Sequence, residues 1–241
     1  ITSFTLWLEH LILCKGEAFQ NIESTFYYQD DDRLDPDYLA FASPHKQWVS
    51  DSSINGAHII DGINLDGYFI KKSAQGIKYD YNNGRVLVPR ILSNPSSNVE
   101  GIYSVKDFNT YITDQTEEEL LIETKFAKNS RFDQEIFDGI KPYDQVVPAI
   151  FVSYEEGNNI PFAFGGEDIT ESRIRCVIFA ENSYQLDGVF SILKDTRITS
   201  VSNVGYNEHP LDEFGDLKFG NYDYKDLSDR YFNINNSQSS F

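Results

Sequence analysis

Apolar positions recur with helical spacing at the start of the chain. Phe4, Trp7, Leu8 and Leu11 fall at i, i+3, i+4 and i+7, Ser3 stands where an N-cap is expected and Gly16 where a left-handed C-terminal residue is expected, which predicts a helix over Ser3 to Lys15. Leu6, Ile12 and Leu13 widen the apolar surface beyond one stripe, so this helix must be covered on two sides, by its own domain or by a neighbouring subunit. Further on the period changes to two. Tyr79 and Tyr81 alternate with polar residues ahead of Asn83-Gly84, and Val86 and Val88 follow, which predicts an antiparallel hairpin over residues 77 to 88. A two-residue turn at Asn83-Gly84 sets Tyr81 opposite Val86 and Tyr79 opposite Val88.

Between these elements, Phe26 to Tyr28 leads into an acidic loop, Gln29 to Asp37, broken by Pro36, and Gly56, Gly62 and Gly67 punctuate short apolar runs that read as brief strands. Ser93 to Asn98 is a cluster of turn formers and marks a boundary. Beyond it, Phe108 to Thr113 and Leu120 to Phe126 read as strands around the acidic turn Asp114 to Glu119; a capping box at Thr116 and Glu119 offers a helix instead. Val146 to Val152 is a nearly continuous apolar strand. Ile174, Cys176 and Ile178 alternate with their neighbours, and Asn182 or Ser183 can cap a helix that carries Leu186, Val189, Phe190 and Leu193 at i, i+3, i+4 and i+7. A strand running through a polar turn into an amphipathic helix gives a sheet with a helix on one face, so the class is α+β, rich in antiparallel strand. From Gly205 the period is lost. Phe214, Phe219, Tyr222, Tyr224, Tyr231 and Phe232 are scattered among Asp, Asn, Gly and Ser, the pattern either of a loose surface tail or of an extended arm whose aromatics anchor in pockets on another surface. The expected organisation is residues 1–92, an N-terminal helix and hairpin region; 99–204, an α+β domain; and 205–241, the arm.

Composition narrows the partners. With 18 Phe, 15 Tyr and 2 Trp in 241 residues the chain is too aromatic to be disordered, and its net charge of −18 repels phosphate backbones and anionic lipid alike. A basic protein surface is the natural counterpart. Cys14 and Cys176 lie far apart in apolar runs and form no disulfide framework, which fits a reducing compartment. The run Phe4 to Leu13 is too short to span a bilayer and lacks the basic flank of a secretory signal. The absence of Met implies that the chain does not begin at an initiator.

Candidate chemistry is sparse. The spacing of Asp30, Asp31, Asp32, Asp35 and Asp37 is not that of an EF-hand, since the sixth residue from Asp30 is Asp35 and the twelfth is Phe41. His10, His45, His58 and His209 stand in no metal-ligand spacing. Phe164-Gly165-Gly166-Glu167-Asp168 has no Lys to make a phosphate cradle of it, and no nucleophile elbow occurs. Neither catalysis nor a cofactor nor a small-molecule substrate is therefore expected.

The opening Ser3 to Leu13, the Tyr79 to Val86 hairpin and the strand, turn and helix of Arg173 to Lys194 together resemble virion structural proteins of tailed bacteriophages, of the small α+β kind found at the neck or tail end. The resemblance implies a symmetric ring of copies in contact with other virion proteins, assembled in the host cytoplasm. The interface residues expected on this reading are Phe4, Trp7, Leu8, Leu11, Phe214, Phe219, Tyr222, Tyr224, Tyr231 and Phe232. The alternative reading is a glycan- or Ca²⁺-binding β-module in which Trp48, tyrosines and the acidic loop line a site. A third is an acidic hydrolase.

Overall fold

The computed structural model describes residues 1–72, 74, 76–123, 126–129, 145–161, 168–196, 198–232 and 236–240. In chain order the elements are α1 (Thr2–Gly16), β1 (Phe19–Gln29), β2 (Tyr38–Ala42), β3 (Gly62–Leu65), β4 (Tyr68–Lys71), β5 (Lys78–Asp80), β6 (Arg85–Pro89), β7 (Val99–Lys106), β8 (Asn109–Ile112), α2 (Glu117–Glu123), β9 (Phe126–Lys128), β10 (Gln145–Val147), β11 (Ala149–Pro161), β12 (Asp168–Phe179), α3 (Ser183–Asp195), β13 (Ile198–Ser202), α4 (Tyr224–Phe232) and β14 (Asn236–Ser240). This is an α+β protein dominated by antiparallel strands, as the patterning predicts. No described helix is long and apolar enough to cross a membrane.

Seven strands form one antiparallel sheet in the order β4-β3-β7-β1-β2-β6-β5. Its two end strands, β4 and β5, are consecutive in sequence, and this forces a curl. Laid flat, seven strands place the outer two about 29 Å apart, whereas the residues joining Lys71 to Lys78 reach at most about 25 Å. The sheet accordingly bends into a half-barrel, and Lys72 Nζ, just past β4, donates to Tyr81 Oη just past β5 at 2.7 Å. Lys72 also lies 4.9 Å from the Tyr81 ring centre and 5.5 Å from that of Tyr79. Trp48 gathers Tyr103, Phe26 and Tyr81 around it at ring separations of 4.8, 5.5 and 6.2 Å, and all four side chains are fully buried.

The hairpin forms, but its register differs from the expected one. Tyr79 faces Val86 and Asp80 faces Arg85, which leaves the four-residue turn Tyr81 to Gly84 in place of a two-residue turn at Asn83-Gly84. Asp80 explains the difference. Its carboxylate accepts from the backbone N–H and the side-chain amide of Asn83, at 2.9 and 2.8 Å, and from Arg85 Nε at 2.8 Å, so it caps a wider loop. The loop carbonyls of Tyr81, Asn82 and Gly84 then accept from the N–H groups of Trp48, Gln47 and Ser43. Gly84 sits at φ 61°, where a Cβ would run into the carbonyl of His45.

The second layer is the sheet β12-β11-β8, with β8 parallel to β11. The apolar run at the start of β11 is buried on both faces, as its continuous pattern requires. Ile150 and Val152 join the main core, while Ala149 and Phe151 pack against Leu120 of α2. The strand expected over Leu120 to Phe126 is a helix as far as Glu123, because the capping box forms in full: Glu119 N–H donates to Thr116 Oγ1, and Glu119 Oε2 accepts from the Thr116 N–H at 2.7 Å. Helix α3 begins as expected, with Asn182 Oδ1 accepting from Gln185 N–H at 3.0 Å.

Four further expectations are corrected. Ser3 does not cap α1; its hydroxyl accepts from Val204 N–H at 2.9 Å, and the left-handed residue at the helix end is Glu17, not Gly16. The boundary at residues 93–98 divides no domains, since β7 beyond it pairs with β1 and β3 before it. The segment after Gly205 is not an extended arm. It holds α4, β14 pairs with β13, and Leu217, Tyr222, Tyr224 and Leu227 are buried in the main core.

Candidate functional site

Strands β11 and β12 run antiparallel for their whole length, from Ala149 opposite Phe179 to Pro161 opposite Asp168. β8 supports only Ala149 to Val152. Beyond that point a two-stranded ribbon projects: residues 154–160 of β11 and 170–173 of β12 are all exposed. A bulge at Glu155 marks where it leaves the body. On the ribbon, Arg173 Nη1 lies 2.7 Å from Glu156 Oε1, Thr170 Oγ1 donates to Asn159 Oδ1 at 2.8 Å, and the Tyr154 ring lies over Gly157, whose missing Cβ leaves room for it. Arg175, at the base, fastens the ribbon by donating to Ser153 Oγ and to the Gln115 carbonyl. An isolated two-stranded ribbon is marginally stable in water and invites pairing or packing with another chain.

Sequence reasoning missed this feature. The alternation recognised at Ile174 to Ile178 continues upstream, but through polar residues, so no apolar stripe announces it. The available sign was the Gly165-Gly166 pair between two runs able to alternate. That loop, with Glu167, lies outside the described residues.

The residues expected at an interface divide. Phe4, Trp7, Leu8 and Leu11 are buried within the chain itself, where α1 meets α3, α4, β8 and β13, so the wide apolar surface of the helix is covered without a neighbour. Tyr222 and Tyr224 are buried as well. Phe214 and Phe219 are exposed, at 59% and 71%. The side chains of Tyr231 and Phe232 lie outside the described residues.

Several polar clusters come together without forming a reactive centre. His10 Nδ1 lies 2.8 Å from Asp51 Oδ2, Ser53 Oγ donates to Asp51 Oδ1 at 2.7 Å, and the His10 ring stacks on Tyr224 at 4.5 Å. This is Ser, His and Asp in contact, yet the serine lies on the same ring nitrogen as the aspartate, 3.4 Å away. A triad needs the hydroxyl on the opposite nitrogen, where the imidazole can take its proton. Asp51 instead ties three parts of the chain together, accepting also from Tyr224 N–H at 3.1 Å. Burial pushes its pKa up, but the bonds from His10, Tyr224 and Ser53 outweigh burial and hold it below the ordinary value.

A cleft of about 480 Å³ between α1 and the β5–β6 turn is lined by Glu9, Lys46, Gln47, Lys106, Tyr111 and His209, among others. Glu9 forms an ion pair with Lys106 and accepts from Thr110, so these charges neutralise each other. Burial pushes the Tyr111 hydroxyl up to about 12, so it stays protonated at neutral pH and is no base there. Gln47 holds a left-handed φ of 59°, fixed by its N–H donating to Asn82 and its carbonyl accepting from Lys106 N–H, each at 3.0 Å.

In the acidic loop, the bond from Arg33 holds the Asp31 carboxyl well below the usual carboxylate range despite some opposing burial, and Arg85 bridges Asp31 to Asp80 at 2.8 Å on each side. Asp30 accepts from Tyr28 and Asp35 from Asp37 N–H. Among the described residues no group of three or more His, Cys, Asp or Glu could hold a metal ion. Near the half-barrel seam, burial lowers the Lys72 pKa while Asp216 opposes that shift. Compared with known protein families, curated proteins and solved structures, the chain has no match in any of the three.

Proposed function

We propose that this chain is a non-enzymatic structural subunit of a multiprotein assembly: a virion protein of the neck or tail end of a tailed bacteriophage, which associates with copies of itself and with other virion proteins. The observation that carries the reading is the ribbon of residues 154–160 and 170–173, exposed on both strands and unsupported by any other described strand. Free in solution, such a ribbon exposes both of its edges to solvent; against a partner it adds strands or a packed face, one of the recurrent modes of protein association. The sequence resemblance supplies the particle, and the exposed Phe214 and Phe219 supply further apolar contacts.

The test is to replace residues 155–173 by an Asn-Gly turn, which joins the cross-strand neighbours Tyr154 and Ile174 directly. The shortened protein should melt like the parent, because the ribbon buries little, and should lose self-association in light scattering and incorporation into particles. A shortened protein that melts normally and assembles as before removes the structural role assigned to the ribbon.

A further inference from the structure

The two edges of the ribbon are unlike. The β11 edge carries the bulge at Glu155 and the adjacent carboxylates Glu155 and Glu156, features that twist an edge away and repel an incoming strand. The β12 edge has neither. Its pairing with β11 is regular from Gly157 opposite Ser172 to Pro161 opposite Asp168, Thr170 to Arg173 are exposed, and its outer side pairs with no described strand.

We propose that β12 pairs antiparallel with β12 of a second copy of this chain, about a two-fold axis at Ser172. This rests on the reading of the ribbon as an assembly arm and names its partner.

Charge selects the register. On the outer edge, backbone groups point outward at every second residue, so a strand pairs with its own copy only in registers centred on a residue. Centred on Ser172, Glu171 faces Arg173 of the copy and Arg173 faces its Glu171, while Thr170 and Ile174 face each other. One step back, Glu171 faces Glu171; one step forward, Arg173 faces Arg173; two steps forward, Arg173 faces Arg175. Like charges directly opposite are unfavourable and opposite charges favourable, so only the Ser172 register is free of a like pair while placing both opposite pairs. Glu171 makes no ion pair among the described residues, and Arg173 already holds Glu156 at 2.7 Å. Pairing therefore completes a chain from Glu156 through Arg173 to Glu171 of the copy, made twice by symmetry.

The experiment places a cysteine on the axis. Ser172→Cys in a full-length chain also carrying Cys14→Ser, to remove the exposed thiol, should link into a covalent dimer on mild oxidation, because residues facing each other in such a pair lie within disulfide reach. Asn158→Cys on the inner strand should not link, since three strand spacings, about 14 Å, separate it from its copy. Glu171→Arg and Arg173→Glu alone should each weaken dimerisation about tenfold or more, since each sets like charges opposite twice. The double exchange should restore it. A Ser172→Cys protein that stays unlinked, or a double exchange no better than either single, overturns the pairing. If the unlinked protein still exceeds monomer mass in light scattering, the assembly reading survives and only this interface fails. If it is monomeric at every concentration and enters no particle, both fall.

Discussion

At the scale of single residues, Asp51 has the widest reach, since it joins α1 through His10, the following turn through Ser53 and the start of α4 through Tyr224. Asp51→Ala should cost about 2–3 kcal/mol in chemical denaturation at neutral pH, because it leaves buried donors without an acceptor. The pH dependence has a definite sign. A carboxyl whose pKa is lower folded than unfolded contributes stability that is present above the unfolded value of 3.8 and is lost as pH falls through the folded value. The stability gap between the parent and Asp51→Asn should therefore close as pH falls below about 4. Gly84→Ala meets the His45 carbonyl from a left-handed backbone and should cost about 2–3 kcal/mol. A near-neutral melting temperature for that variant would show that the turn relaxes at little cost.

Whole elements were legible in the sequence where their signals were local. α1 and α3 follow from apolar spacing, and the N-cap of α3 from Asn182. The hairpin was legible as a hairpin, but its register was not, because Asp80 and the Ser43 to Trp48 segment decide it and neither is visible in a cross-strand pattern. α2 was hidden by an acidic first turn and revealed only by its capping box; Thr116→Ala should lower stability by about 1 kcal/mol, and Asn182→Ala by a similar amount. The C-terminal segment was illegible for a different reason. Tyr222 and Tyr224 reach the core singly, from a loop and from the first residue of one short helix, while Phe214 and Phe219 stay exposed, so no single face carries a period. Deleting residues 206–241 should therefore leave an unfolded or molten chain by circular dichroism and thermal melting, not a folded body lacking an arm. The candidate site was the least legible part, since a ribbon exposed on both faces carries no apolar alternation.

For the molecule as a whole, a net charge of −18 separates two kinds of partner. Copies of the chain repel one another at long range, so salt should strengthen self-association over the range in which the screening length shrinks below about 10 Å. Association with a basic virion protein should weaken over the same range. Light scattering of the chain alone and titration against a particle fraction, each from 50 mM to 500 mM salt, distinguish the two. A ring built from β12 pairs must also carry two-fold axes across its plane, so an even number of subunits is expected. The half-barrel adds a mechanical consequence. Its strands are stitched by backbone ladders everywhere except between β4 and β5, where a lysine amine and a tyrosine hydroxyl span the gap. A load drawn across the sheet meets its weakest resistance at that slit, so the sleeve should gape there before any ladder shears, and Lys72→Ala should lower the force at which it opens.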